Sequence, residues 1–175
     1  MMKMFSTQLN GLFNRISSKG EFLIEDGARL LAQATVGEGR TFLKGFAELE
    51  GVVLEATSGA EPLKGAYPLK NIDELTSADR VLLFSRFSND QDAVKLAYAL
   101  QDRGVEFVAV SGKVEGEETL QNLATIHIDT MLTKGLLPDE SGNRIGFPSS
   151  MAGLYIYFAL KFTLDEMVEE YLELD

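Results

Sequence analysis

Apolar residues along this chain keep two different periods, and the change falls near residue 40. From Met4 to Val36 they recur at helical spacing, first as Phe5, Leu9, Leu12, Phe13 and Ile16, then as Phe22, Leu23, Ile24, Ala28, Leu30, Leu31 and Ala34. Ser17 to Gly20 interrupts the series, so two helices or one bent helix are expected before any strand. Thr41–Lys44 reads as a short strand ending at Gly45, and Glu48 to Thr57 as a helix with Val52, Val53, Leu54 and Ala56 inside. Ala66–Pro68 fits a short edge strand. Asp79 to Gly112 then reads strand, turn, helix, turn, strand, the crossover unit that parallel sheets require. Within it Val81–Phe84 is an unbroken apolar run of the kind buried on both faces. Asn89 to Arg103 is amphipathic through Ala93, Val94, Leu96, Ala97 and Leu100, and Gly104 follows where a helix end needs positive φ. Phe107–Val110 is the next strand, Thr119 to Leu123 a short helix, and Thr125–Ile128 a last short strand. A polar, glycine-bearing connection leads to a long helix from near Ser149 to about Tyr171.

Strands alternating with helices imply an α/β fold with helices on both faces of a parallel sheet. The expected architecture is a three-layer sandwich: a doubly wound, five-stranded parallel sheet in the order 2-1-3-4-5, with N-terminal helices and a long C-terminal helix. One domain over residues 1–175 divides into N-terminal helices (1–36), the sheet with its crossover helices (40–130), a loop (131–148) and the C-terminal helix (149–172). In that order the switch point lies between the strands ending at Gly45 and Ser85, so the two following turns face one crevice.

Composition narrows the chemistry. At 175 residues and 45% hydrophobic the chain can bury a core. It has no cysteine, which excludes disulfides, zinc-thiolate sites and thiol catalysis. His127 is the one histidine, which excludes a histidine metal cluster within one chain; no metal and no cofactor are expected. The net charge of −11 argues against nucleic acid and anionic membranes as partners. The apolar run Met151–Leu164 contains Lys161 and is too short for a spanning helix, and the N-terminus lacks the apolar core of a signal peptide. A cytoplasmic protein is expected.

Four loops carry candidate binding chemistry. In the first, Gly45, Phe46 and Ala47 precede Glu48 and Leu49; amides here can approach an anion, or the segment is a plain turn in which Glu48 and Glu50 offset the helix dipole. In the second, Ser85, Arg86, Ser88 and Asn89 offer hydroxyls, amides and a guanidinium to phosphate oxygens. The same stretch fits a capping box with Ser88 as N-cap and Gln91 at its third position, and Asp90 and Asp92 would repel a phosphate. The third is Ser111-Gly112-Lys113 at the next strand end. The fourth, Pro138 to Ser150, leads into a capped helix and offers Arg144 and Ser149 to a ligand; Asp139 and Arg144 equally suit a pair fastening the loop. His127 beside Asp129 suits either proton chemistry or a packed histidine at the sheet edge.

The order of elements, with Glu25–Ala34 (EDGARLLAQA), Asp79–Ser85 (DRVLLFS) and His127–Leu160 (HIDTMLTKGLLPDESGNRIGFPSSMAGLYIYFAL), resembles the sugar isomerase (SIS) fold. It resembles the phosphoheptose isomerase-like branch more closely, and within that a small family of SIS-like proteins from Gram-positive bacteria. The resemblance implies a phosphosugar-binding fold assembling as dimers or tetramers through its helices, with ligands near subunit interfaces. The first family loop reads Gly-Asn-Gly-Gly-Ser, of which only Gly45 matches here. The second reads Ser-x-Ser-Gly-x-Ser/Thr; Ser85 matches, while Phe87, Ser88 and Asp90 depart from it. Ser111-Gly112 resembles the Thr-Gly that follows the next strand. Glu55 and Gly59 stand where phosphoheptose isomerases carry a catalytic His and Glu, and the last helix has no histidine. The expected function is therefore binding of a sugar phosphate or similar small anion, with degenerate phosphate loops. The alternatives are an isomerase using a carboxylate base, Glu48 or Glu55, and a non-catalytic assembly or regulatory module.

Overall fold

A computed structural model describes residues 1–174. Helix α1 (Met2–Val36) is followed by β1 (Thr41–Gly45), a 3₁₀ turn (Ala47–Leu49), α2 (Glu50–Ser58), β2 (Ala66–Pro68), β3 (Arg80–Phe87), α3 (Gln91–Asp102) and β4 (Phe107–Gly112). Then come α4 (Leu120–Leu123), β5 (Ile126–Asp129), the two-residue strands β6 (Leu137–Pro138) and β7 (Arg144–Ile145), and α5 (Ser149–Glu173). The main sheet is parallel throughout in the order β2-β1-β3-β4-β5, as the alternation of elements predicts.

The two faces of the sheet bury two separate clusters. Leu43, Leu82, Phe84, Val108, Val110 and Ile128 pack with α1, α2 and α5; Phe42, Val81, Leu83, Phe107 and Ala109 pack with α3 and Leu120. Both clusters exclude water, which is why β3 and β4 read as unbroken apolar runs. Fully burying one such aliphatic or aromatic side chain contributes about 1.5–3 kcal/mol, so this layering supplies the main driving force for the fold.

The N-terminal stretch is one continuous helix through Ser17–Gly20. Leu12, Ile16, Gly20, Ile24, Gly27 and Leu31 form its buried line, and packing along that line outweighs the weak helix propensity of two serines and a glycine. Gly104 has φ of 66° and closes α3 in a Schellman arrangement, its amide bonding the Gln101 carbonyl and the Val105 amide that of Leu100. The connection after β5 contains the small hairpin β6–β7, which the sequence pattern does not predict. At the opposite end of the sheet from the switch point, buried Asp79 accepts from the Arg40 amide and guanidinium and from the Thr76 amide and hydroxyl. Burial opposes its ionisation, but these donors outweigh burial and hold its pKa below the usual value. Among the described residues no helix is long and apolar enough to cross a membrane.

Candidate functional site

β1 and β3 are neighbours, with Gly45 in register with Phe84, so their turns lie side by side where the strand order reverses. After Gly45 the chain turns so tightly that an added Cβ would lie 2.2 Å from the Leu49 carbonyl oxygen. Ala47 follows with φ of 51°, a conformation that residues other than glycine rarely adopt. This turn carries Glu48 across to the neighbouring strand end. β3 runs past Phe84, and its register against β4 shifts between Phe84 and Phe87. Arg86 projects from that irregularity as the exposed residue of the strand.

Glu48 and Arg86 meet in a two-point ion pair. Arg86 Nε donates to Oε1 at 2.7 Å and Nη2 to Oε2 at 2.6 Å. Ser149, the first residue of α5, donates its hydroxyl to the same Oε1, and the Ser150 hydroxyl donates to the Glu48 carbonyl at 3.3 Å. The Arg86 guanidinium, followed by the Ser149 hydroxyl, holds the Glu48 carboxylate down at about 2 against a partial cost of burial. Arg86 is raised in turn by its bonds to Glu48. Phe87, Phe147, Pro148 and Met151 complete a crevice of about 670 Å³, with the Phe87 and Phe147 rings edge to face at 5.6 Å.

Of the residues expected to bind a ligand, Arg86 and Ser149 line this crevice, and so does Glu48. Gly45, Phe46 and Ala47 shape the turn behind it. Glu48 belongs to the 3₁₀ turn before α2, not to the first turn of that helix, and its charge is directed to Arg86. Ser85 is buried, its hydroxyl donating to the Phe87 carbonyl. The expected capping box does not form. Ser88 is fully buried and accepts from the Val114 amide at 3.0 Å, while Asp90 caps α3 through the amides of Asp92 and Ala93. β3 extends to Phe87 and leaves Ser88 buried in the turn after it, and the helix starts two residues later. Asn89 is exposed beside that cap.

The third loop points elsewhere. Ser111 is fully buried with its hydroxyl 2.8 Å from His127 Nε2, Gly112 is buried, and the exposed Lys113 offers its amide to Asp129. Burial pushes the His127 pKa down to about 4, so the ring is neutral and packed at the sheet edge. Asp129 bonds the Lys113 and Met131 amides. Arg144 and Asp139 do not pair. Arg144 donates to the Gly135 and Leu136 carbonyls, whereas Asp139 accepts from the Ser141 and Asn143 amides inside the hairpin. Helix α5 has no side-chain cap, because its N-cap position is Pro148, and the Ser149 hydroxyl bonds Glu48 instead. Glu55 sits on α2 outside the crevice lining. Among the described residues no three His, Cys, Asp or Glu side chains gather where a metal could bind. Of the other lining residues, Phe87 lies in the second loop and Phe147, Pro148 and Ser150 in the fourth, none of them expected as a ligand contact, and Met151 lies beyond both.

Comparison with known proteins places this geometry. The family described as "Domain of unknown function (DUF2529)" matches residues 1–168. The Bacillus subtilis (strain 168) protein YwjG, described as uncharacterized, is 44% identical over 98% of this chain and 99% of its own. A putative sugar-phosphate isomerase from Listeria monocytogenes has a similar structure at 16% identity, with a TM-score of 0.69 over 96% of this chain and 90% of that one. The sugar isomerase domain of the RpiR transcription factor from Sphaerobacter thermophilus gives 0.64 at 12% identity, covering 97% and 91%. The phosphoheptose isomerase from Neisseria gonorrhoeae gives 0.62 at 12%, covering 95% and 100%. The chain therefore belongs to the DUF2529 family and carries the sugar isomerase (SIS) fold, similar in structure to the phosphoheptose isomerases.

Proposed function

We propose that the chain is an SIS-type binding module for a phosphorylated sugar or similar small anion, held in the crevice between the β1 and β3 turns. The observation that carries this reading is the convergence of Arg86, Ser149 and Ser150 at the strand order's switch point. A guanidinium fork with hydroxyls suits phosphate oxygens, and the Phe87 and Phe147 rings offer an apolar wall to a sugar. The volume of about 670 Å³ is ample for a hexose phosphate. Relatives in fold described as a putative sugar-phosphate isomerase and a phosphoheptose isomerase support the ligand class, and a sugar isomerase domain within a transcription factor is in keeping with a role other than catalysis. A carboxylate-based isomerase has less support, because a Glu48 carboxyl titrating at about 2 is a poor base at neutral pH. Thermal melting against a panel of sugar phosphates and nucleotide sugars tests the reading. Stabilisation by a sugar phosphate that Arg86→Gln abolishes is expected, and the absence of any stabilisation sinks it.

A second reading concerns assembly. Met151, Leu154, Phe158 and Phe162 recur along one side of α5, with Met151 and Phe162 exposed by 42% and 53%. Residues 151–164 contain no acidic side chain although the chain carries −11 overall. Two copies can thus bring these faces together without opposing carboxylates, and we infer self-association through α5 in solution.

A further inference from the structure

The crevice already holds an anion, and it is the protein's own. Arg86 and Ser149 converge on the Glu48 carboxylate, which reaches Ser149 from 101 residues away in the chain. The receiving side has the makeup of an anion site in its own right. It combines a forked guanidinium, two hydroxyls and the start of a 25-residue helix that has neither a side-chain cap nor an acidic residue in its first turn. Glu48 is delivered there by the left-handed backbone at Ala47 and pinned by Ser150 at its carbonyl. The contact stays open to solvent, with 47% of the Arg86 side chain and 30% of the Glu48 side chain exposed, so a dissolved competitor can reach it.

We propose that Glu48 is an internal competitor that sets the ligand specificity of this crevice: a ligand's phosphate monoester enters by replacing the Glu48 carboxylate on Arg86 and Ser149. The choice of a sugar phosphate as ligand rests on the reading above; the competition itself does not. A tethered carboxylate acts at high effective concentration, so a weak monoanion such as acetate cannot displace it. A phosphate dianion brings more charge and a third oxygen, and Ser150 and the α5 amides lie beside the place it would take.

The test is calorimetric titration of inorganic phosphate and glucose 6-phosphate into the wild-type protein, Glu48→Gln and the double variant Glu48→Gln/Arg86→Gln, at neutral pH and fixed ionic strength. Removing the negative charge beside Arg86 should tighten inorganic phosphate binding at least about tenfold, and the double variant should lose that gain. Equal or weaker binding by Glu48→Gln, or a gain that survives loss of Arg86, overturns the proposal. Should Glu48→Gln fold poorly, the wild-type protein decides. Sulfate is dianionic above about pH 2, so at high concentration it must raise the Glu48 carboxyl titration, followed by carbon NMR, from about 2 toward 4.5. An unmoved titration overturns the proposal. If sugar phosphates stabilise the wild-type protein but Glu48→Gln gains nothing, binding stands and the competitor falls. If Glu48→Gln gains phosphate while neither protein responds to sugar phosphates, the reverse holds.

Discussion

Removing the Glu48–Arg86 contact should destabilise the fold by a moderate, pH-dependent amount. The drop of the Glu48 carboxyl from 4.5 to about 2 sets an unscreened ceiling of about 3.4 kcal/mol, at about 1.4 kcal/mol per tenfold change in proton affinity. Both side chains remain partly in water, with 47% and 30% exposed, and solvent screening cuts such a pair well below its ceiling. Two short charge-assisted bonds in a forked geometry keep it above an ordinary surface pair, which leaves about 1–2 kcal/mol. Urea unfolding of the wild-type protein, Glu48→Gln, Arg86→Gln and the double variant gives this as a coupling energy. Because the folded-state pKa lies below the unfolded one, the contribution is fully present above about pH 4.5 and disappears as pH falls through about 2. The stability gap between wild type and Glu48→Gln must close over that window. A coupling below about 0.3 kcal/mol, or a gap that does not change between neutral pH and pH 2, refutes the argument.

Four other outcomes follow from the same structure. Gly45→Ala drives a Cβ into the Leu49 backbone at 2.2 Å and should cost about 3 kcal/mol or more in urea unfolding; a loss under about 1 would show that the turn can relax. Gly104→Ala meets no neighbouring atom, so only its positive φ is strained, and the cost should be about 1 kcal/mol. His127 is neutral in the fold down to about pH 4 but protonates near 6.5 when unfolded, so stability should fall by up to about 3 kcal/mol as pH drops across that range; His127→Gln should remove this slope, and a histidine titrating near 6.5 by NMR would contradict it. Phe162→Glu places a charge on the exposed side of α5 and should shift light scattering from a larger species to the monomer; a wild-type protein already monomeric at micromolar concentration defeats the self-association reading.

The sheet was legible in the sequence because burial on two faces leaves a signal that no local competitor can imitate. Val81–Phe84 and Phe107–Val110 have no polar position to offer solvent, and they become the centre of the sheet. The start of α3 was misplaced because Ser88-Asn89-Asp90-Gln91 matches a capping box from Ser88, while Asp90 within it is also a good N-cap residue. The choice between them is made 26 residues away, where the Val114 amide takes the Ser88 hydroxyl and leaves Asp90 to cap. The hairpin β6–β7 left no period to find, since each strand has only two residues.

The candidate site fails and succeeds on one physical distinction. Ser85, Ser88 and Ser111 sit at strand ends, where a fold-level argument looks for ligands, yet each has its hydroxyl satisfied inside the protein. A hydroxyl already paired and buried has no bond left for a ligand unless the strand moves. Arg86 differs because the register shift of β3 turns it outward. It then needs a counter-charge, and the adjacent turn supplies Glu48. The topology alone puts these two turns together, so an acid in one and a base in the other was the available clue. Assigning Glu48 to the dipole of α2 concealed it, since that assignment explains the charge locally. The structure shows a 3₁₀ turn at Glu48 that leads directly into α2, and a guanidinium two bonds strong on the neighbouring strand. The stronger partner takes the carboxylate, and the chemistry of the crevice is set by that preference.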